Sequence, residues 1–167
     1  MSKKDEDKRW SSGDGAGCNP LRALGADEIR TYVVGKASRR RKEVYRDVLE
    51  LQDHLLARIR PGMPIGELFA YAMQHVKSLG YESYFQGYGK SQGRYIGHGV
   101  GLELDEWPVL DGRARYRIQE GVVLAVECKF IIPDFGAVFI EDTVVVRSQG
   151  IEILSGSDRS LAEITTW

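Results

Sequence analysis

The stretch GVVLAVECKFIIPDFGAVFIEDTVVV, from Gly121 to Val146, limits what this chain can fold into more than any other. Two runs rich in β-branched and aromatic residues flank PDFG, the pattern of a long β-hairpin. Glu127 and Glu141 stand in the middle of those runs, among residues suited to a core. Side chains alternate across a strand, and 141 − 127 = 14 is even, so a loop with an odd number of residues sets both glutamates close together on one face. DFG can supply that loop, with Gly136 in a left-handed conformation. Two buried carboxylates side by side repel, so either one holds a proton or a cation lies between them. A solvated sheet face would carry them without either device. On spacing alone the two readings stand level.

Upstream, IRTYVVG reads as a strand, and Ser38 as the N-cap of a helix. From there Val44, Val48, Leu51, Leu55 and Ile59 form one amphipathic stripe, and RPGMP ends the helix. Pro64 suits the first turn of a second helix, whose apolar set Ile65, Leu68, Phe69, Ala72, Met73, Val76 and Leu79 runs to a terminating Gly80. After the hairpin, SQG precedes a short strand IEIL. The order strand, two helices, then strands predicts an α+β fold with helices covering one face of a mainly antiparallel sheet.

A chain of 167 residues with 43% hydrophobic content fills one modest core. Lys plus Arg at 23 against Asp plus Glu at 24 leaves a net charge of −1, which argues against nucleic acid or an anionic membrane as partner. The run RRRK from Arg39 to Lys42 has no interleaved aromatics and reads as a solvated helical turn. Cys18 and Cys128 form neither a CxxC pair nor a disulfide framework. With no membrane-length apolar stretch and no signal peptide in MSKKDEDKRW, a soluble cytoplasmic protein is expected. The segment MSKKDEDKRWSSGDGAG has little to bury and is expected to be poorly ordered.

A third acidic or basic feature turns the glutamate pair into a constellation. In GRYIGHGVGLELDEWPVL, from Gly93 to Leu110, His98 sits among glycines. Such a histidine is commonly a polar loop residue. Imidazole and carboxylates are also the usual ligands of Mn, Co, Zn or Fe, and glycines let backbone and ion approach closely. With Asp27 opening DEIRTYVVG, the set Asp27, His98, Glu127 and Glu141 has four oxygen and nitrogen donors. Asp105 and Glu106, read as a glycosidase-like pair, fail because neighbours on an extended chain point apart.

IGHGVGLELDEWP, GVVLAVE, GAVFIEDTVVV and QGIEIL resemble, in order and spacing, the C-terminal catalytic domain of the creatinase/methionine aminopeptidase family, metallopeptidase family M24, with the pita-bread fold. The nearest branch is that of the Xaa-Pro peptidases, Xaa-Pro dipeptidase and aminopeptidase P. The resemblance implies a curved, mainly antiparallel sheet covered on one face by helices. It makes Asp27 and Glu141 bridging metal carboxylates, His98 the histidine ligand and Glu127 a terminal ligand, with Glu141 and His98 as the catalytic pair. It implies two divalent ions (Mn, Co or Zn) in the intact family and as few as one here, and a metal-activated water hydrolysing a peptide bond next to proline. The implied partner is a peptide with proline in second position, and a homodimer is compatible.

The departures shape the expectation. The family's first metal aspartate falls eleven residues before the second, which is Ala16 here, and Asp14 is displaced from it by two. Asp105 stands where many members have histidine, and Cys128 replaces a proline after the glutamate ligand. The chain begins too late to hold the N-terminal half of the fold with its proton-shuttling histidine, so a truncated form of reduced activity is expected. The expected organisation is a poorly ordered or atypical segment over 1–26, a partial pita-bread domain over 27–155 and a tail over 156–167. The competing expectation is a non-catalytic binding protein that retains the scaffold.

Overall fold

The computed structural model describes residues 10–14, 17–19 and 24–165. Helix α1 (Arg39–Leu56) starts at Ser38, whose hydroxyl accepts the Arg41 N–H at 3.3 Å and so satisfies one of the donors left open in a first turn. It stops at Leu56, ahead of RPGMP: Arg58 N–H bonds to the Leu55 carbonyl at 3.0 Å and Ile59 N–H to that of Leu56 at 3.3 Å. This tighter winding carries Ile59 into the core although it has left the helix. Helix α2 (Ile65–Leu79) closes on Gly80, at φ 77°. Pro64, expected in the first turn, is instead the N-cap, with ψ at 128°; its missing N–H is not needed there.

The strands are β1 (Trp10–Asp14), β2 (Gly17–Asn19), β3 (Leu24–Ala26), β4 (Ile29–Val34), β5 (Gly97–Gly99), β6 (Val123–Ile132), β7 (Gly136–Arg147), β8 (Gly150–Ile153) and β9 (Ala162–Ile164). Seven of them form one sheet in the order β1-β4-β7-β6-β5, with β8 added to β7 and β9 to β4; β2 and β3 pair separately. All pairings are antiparallel except β4 with β9. The β6–β7 hairpin runs in unbroken register from Val123↔Val145 to Ile132↔Gly136. Its three-residue loop, 133–135, is odd in length, and Asp134 at φ 60° and Gly136 at φ 115° turn the chain.

Alternation then sorts the hairpin into two faces. Leu124, Val126, Cys128 and Phe130 of β6 and Val138, Ile140, Val144 and Val146 of β7 join Val48, Leu51 and Leu55 of α1 and Leu68, Ala72 and Val76 of α2 in one core. Full burial of side chains of this size contributes roughly 1.5–3 kcal/mol each. Glu127 and Glu141 occupy the other phase, and the helices therefore cover the face opposite to them. One mainly antiparallel sheet with a single helical layer on one face is the α+β architecture expected from the order of elements.

Two stretches carry more regular structure than the sequence suggests. Within 1–26, residues 10–14, 17–19 and 24–26 are strands, while 1–9 and Ala16 lie outside the described residues. Within 156–167, Ala162–Ile164 joins the sheet beside β4, and Lys42 pairs with Glu163 at 2.8 Å. β1 and β9 both pair with β4, whereas β2 and β3 pair with each other. Among the described residues no helix is long and apolar enough to cross a membrane.

Candidate metal centre

The hairpin register places Glu127 directly opposite Glu141, on one face of the sheet. Beside them β5 pairs with β6 through His98↔Ala125, which adds an imidazole to the same face. The flanking glycines have steric causes. A Cβ on Gly97, at φ 152°, would collide with the Ala125 carbonyl, and one on Gly99 would lie 2.5 Å from the Trp107 carbonyl oxygen. They allow β5 to press against β6 on one side and the following loop on the other.

Asp27 reaches the group from the other edge. Its N–H bonds to Thr143 Oγ1 at 2.9 Å, and the same hydroxyl donates to the Asp27 carbonyl at 2.6 Å. Ile29, next on β4, stands opposite Glu141, and Asp14 on β1 stands opposite Ile29, so the backbone of Asp14 is two strands from Glu141.

One donor atom each from Asp27, His98 and Glu141 lies within 4.8 Å of the other two. His98 Nε2 is 3.8 Å from Asp27 Oδ2 and 3.8 Å from Glu141 Oε1, too far for hydrogen bonds. His98 Nδ1 lies 3.0 Å from the Gly99 carbonyl. A carbonyl only accepts, so Nδ1 donates in this pair and Nε2 is the ring nitrogen that faces the two carboxylates. A ligand histidine held through its other nitrogen is the usual arrangement around a bound ion. The donor set and this orientation fit a divalent cation.

Glu127 lies outside that triangle. Its Oε2 pairs with Lys129 Nζ at 2.8 Å, both side chains largely buried. Lys129, two residues on and hence on the same face, sits 5.5 Å from the centre of the Tyr95 ring and 5.4 Å from that of Phe139. The period-two pattern contained this signal, and sequence reasoning passed over it. The same is true of Thr143, two residues after Glu141.

Asp105 is 75% exposed, with Oδ1 3.6 Å from His98 Nδ1. Glu106 turns the other way and accepts the Glu103 N–H at 2.7 Å, so the two acids do not face one another. Cys128 is a free thiol on the helix side, its pKa pushed well up by burial, and is not among the donors. Asp142 also faces the helices, where Gln52 donates to it at 3.1 Å and Arg30 and Arg159 pair with it at 2.8 and 3.2 Å. Its charges are balanced within that network, which anchors β7 behind Glu141.

Comparison with known proteins points the same way. The model of metallopeptidase family M24 matches residues 21–148. The Xaa-Pro dipeptidase of Pyrococcus furiosus is 37% identical over 136 residues, which are 81% of this chain and 37% of that protein. The crystal structure of the X-Pro aminopeptidase from Thermotoga maritima MSB8 superposes with a TM-score of 0.84 at 30% identity, over 93% of this chain and 41% of that one. The prolidase from Pyrococcus furiosus gives a TM-score of 0.80 at 33% identity, over 90% and 42%. The chain thus spans well under half the length of these relatives.

Proposed function

The chain belongs to metallopeptidase family M24, and from that premise we propose that it acts as a cytoplasmic metal-dependent peptidase of the Xaa-Pro type. In this reading it hydrolyses the bond next to a proline in the second position of a peptide, with Asp27, His98, Glu127 and Glu141 holding Mn, Co or Zn. The observation that carries it is the orientation of His98: Nδ1 tied to the Gly99 carbonyl at 3.0 Å, and Nε2 3.8 Å from both Asp27 and Glu141.

A divalent ion, when bound, lowers the pKa of a water and polarises the substrate carbonyl. The chain's own contribution is to hold the donors. His98 aims Nε2 at the two carboxylates without rearrangement, Glu141 stands on a strand paired on both edges, and Thr143 fixes the backbone of Asp27. Glu141 and His98 are the residues assigned to catalysis.

The Lys129 ammonium favours a second reading of the same pocket. It takes up the charge of Glu127, so one ion suffices among Asp27, His98 and Glu141. A non-catalytic protein retaining the scaffold would use the same ion pair in place of a metal. The test is hydrolysis of Xaa-Pro dipeptides by the purified chain with Mn or Co, beside Glu141→Gln, which keeps shape and removes the charge. Slow metal-dependent cleavage, lost in the variant, is expected. Cleavage that survives the substitution, or a chain that binds no divalent ion, would refute the proposal.

A further inference from the structure

The chain has three histidines, and the two that the sheet site leaves unused meet on the far side of the molecule. Glu50 and His54 are one turn apart on α1 and share a face. His75, from α2, meets His54 edge-on, with ring centroids 4.9 Å apart and planes at 81°. One donor atom from each of Glu50, His54 and His75 lies within 4.8 Å of the other two.

The surroundings leave this group without competing partners. His54 Nδ1 and His75 Nε2 are shut off from solvent and have no hydrogen-bond partner, a state that costs stability for any buried polar atom. Glu50 is exposed and joins no ion pair among the described residues. Arg58 lies beside the histidines without bonding to their ring nitrogens: its guanidinium sits 3.5 Å from the centre of the Tyr71 ring and donates to the His54 carbonyl. Asp47 is occupied by Arg46 and by the Tyr81 hydroxyl. Burial, and then the neighbouring His54, hold the His75 imidazole below its ordinary pKa, in the neutral form that binds metals.

The geometry points to a second divalent-metal site at Glu50, His54 and His75, which takes a borderline transition ion such as zinc and clasps α1 to α2. Two imidazoles and one carboxylate suit zinc, cobalt, nickel or copper better than magnesium or calcium. Three protein ligands leave a fourth position for water. Because the ion would join two helices that otherwise meet through side-chain packing alone, its binding would stabilise the folded chain in proportion to its concentration. The site lies on the helical layer, across the sheet from Glu127 and Glu141, and stands or falls independently of the peptidase reading.

Imidazole proton NMR of the full chain, titrated with zinc chloride, tests this directly because only three histidines contribute. In His98→Ala, one equivalent of zinc is expected to shift the His54 and His75 resonances together and to raise the melting temperature. Adding His54→Gln and His75→Gln to that background should abolish the equivalent. Resonances of His54 and His75 that ignore zinc, or zinc binding unchanged by the two glutamines, would overturn the site. Should His98→Ala fail to fold, the same two resonances are followed in the otherwise unaltered chain with Glu50→Gln. There their zinc affinity is expected to fall about tenfold or more while the His98 response is unchanged, and equal affinity would overturn the assignment.

Discussion

Thr143 Oγ1 accepts the Asp27 N–H at 2.9 Å and donates to the Asp27 carbonyl at 2.6 Å, so one hydroxyl on β7 clamps both backbone polar groups of a residue 116 positions earlier. Glu141 lies on the same strand and face, and the clamp therefore ties the spacing of two candidate ligands to a single strand. Thr143→Val keeps the shape and removes both bonds. A loss of about 1–3 kcal/mol in denaturant stability is expected for the stranded backbone groups. Mn affinity by calorimetry should fall roughly 10- to 100-fold. Thr143→Ser should restore both, and a valine variant that binds Mn like the parent would refute the clamp.

Lys129 neutralises Glu127 at 2.8 Å in a largely buried setting. Lys129→Met leaves that carboxylate without its cation, so the metal-free variant should unfold at a lower temperature than the parent. Saturating Mn should narrow the gap, because an ion coordinated by Glu127 takes over the role of the ammonium. Thermal unfolding with and without Mn decides the matter: a gap that metal leaves untouched would separate Glu127 from the metal centre.

Gly99 has no room for a side chain. Its Cβ would come within 2.5 Å of the Trp107 carbonyl, and its N–H already serves Glu106 and Pro108. Gly99→Ala must push the 102–109 loop away from β5 and tilt His98 with it, at a cost of about 1–3 kcal/mol. Gly121, at φ 84° with nothing within 4 Å of an added Cβ, is the control: alanine there costs about 1 kcal/mol of backbone strain alone. Melting temperature should fall in both variants, and Mn affinity only in Gly99→Ala.

Tyr45 is buried beneath the C-terminal segment and donates to the Arg159 carbonyl at 2.8 Å. Desolvation above all pushes its hydroxyl up from the model-compound value of 10.0 to about 12. The unfolded chain releases this proton first, so between pH 10 and 12 the native state binds more protons and stability falls as pH rises. With allowance for solvent screening the effect is at most about 2 kcal/mol. Tyr45→Phe should flatten that alkaline limb in denaturation curves taken from pH 9 to 12. An unchanged slope would exclude Tyr45 as its source.

The sequence by itself determined the elements whose causes are local. Ser38 and Gly80 mark helix ends by the hydrogen bond of a cap and by a left-handed φ, and the stripe from Val44 to Leu55 follows from helical period. The β6–β7 register, and with it the pairing of Glu127 and Glu141, follows from strand alternation and an odd loop. The tertiary structure decided what depends on distant partners. The joining of β1 and β9 to β4, the clamp of Asp27 by Thr143 and the approach of His75 to His54 each require backbone or side chains that folding alone brings together. Lys129 lies between these cases: alternation places it beside Glu127, but the tertiary burial of both makes their ion pair, rather than solvent, the balance of the charge. Local periodicity encodes which face a residue takes, and only the closed sheet sets which charges share that face at what distance.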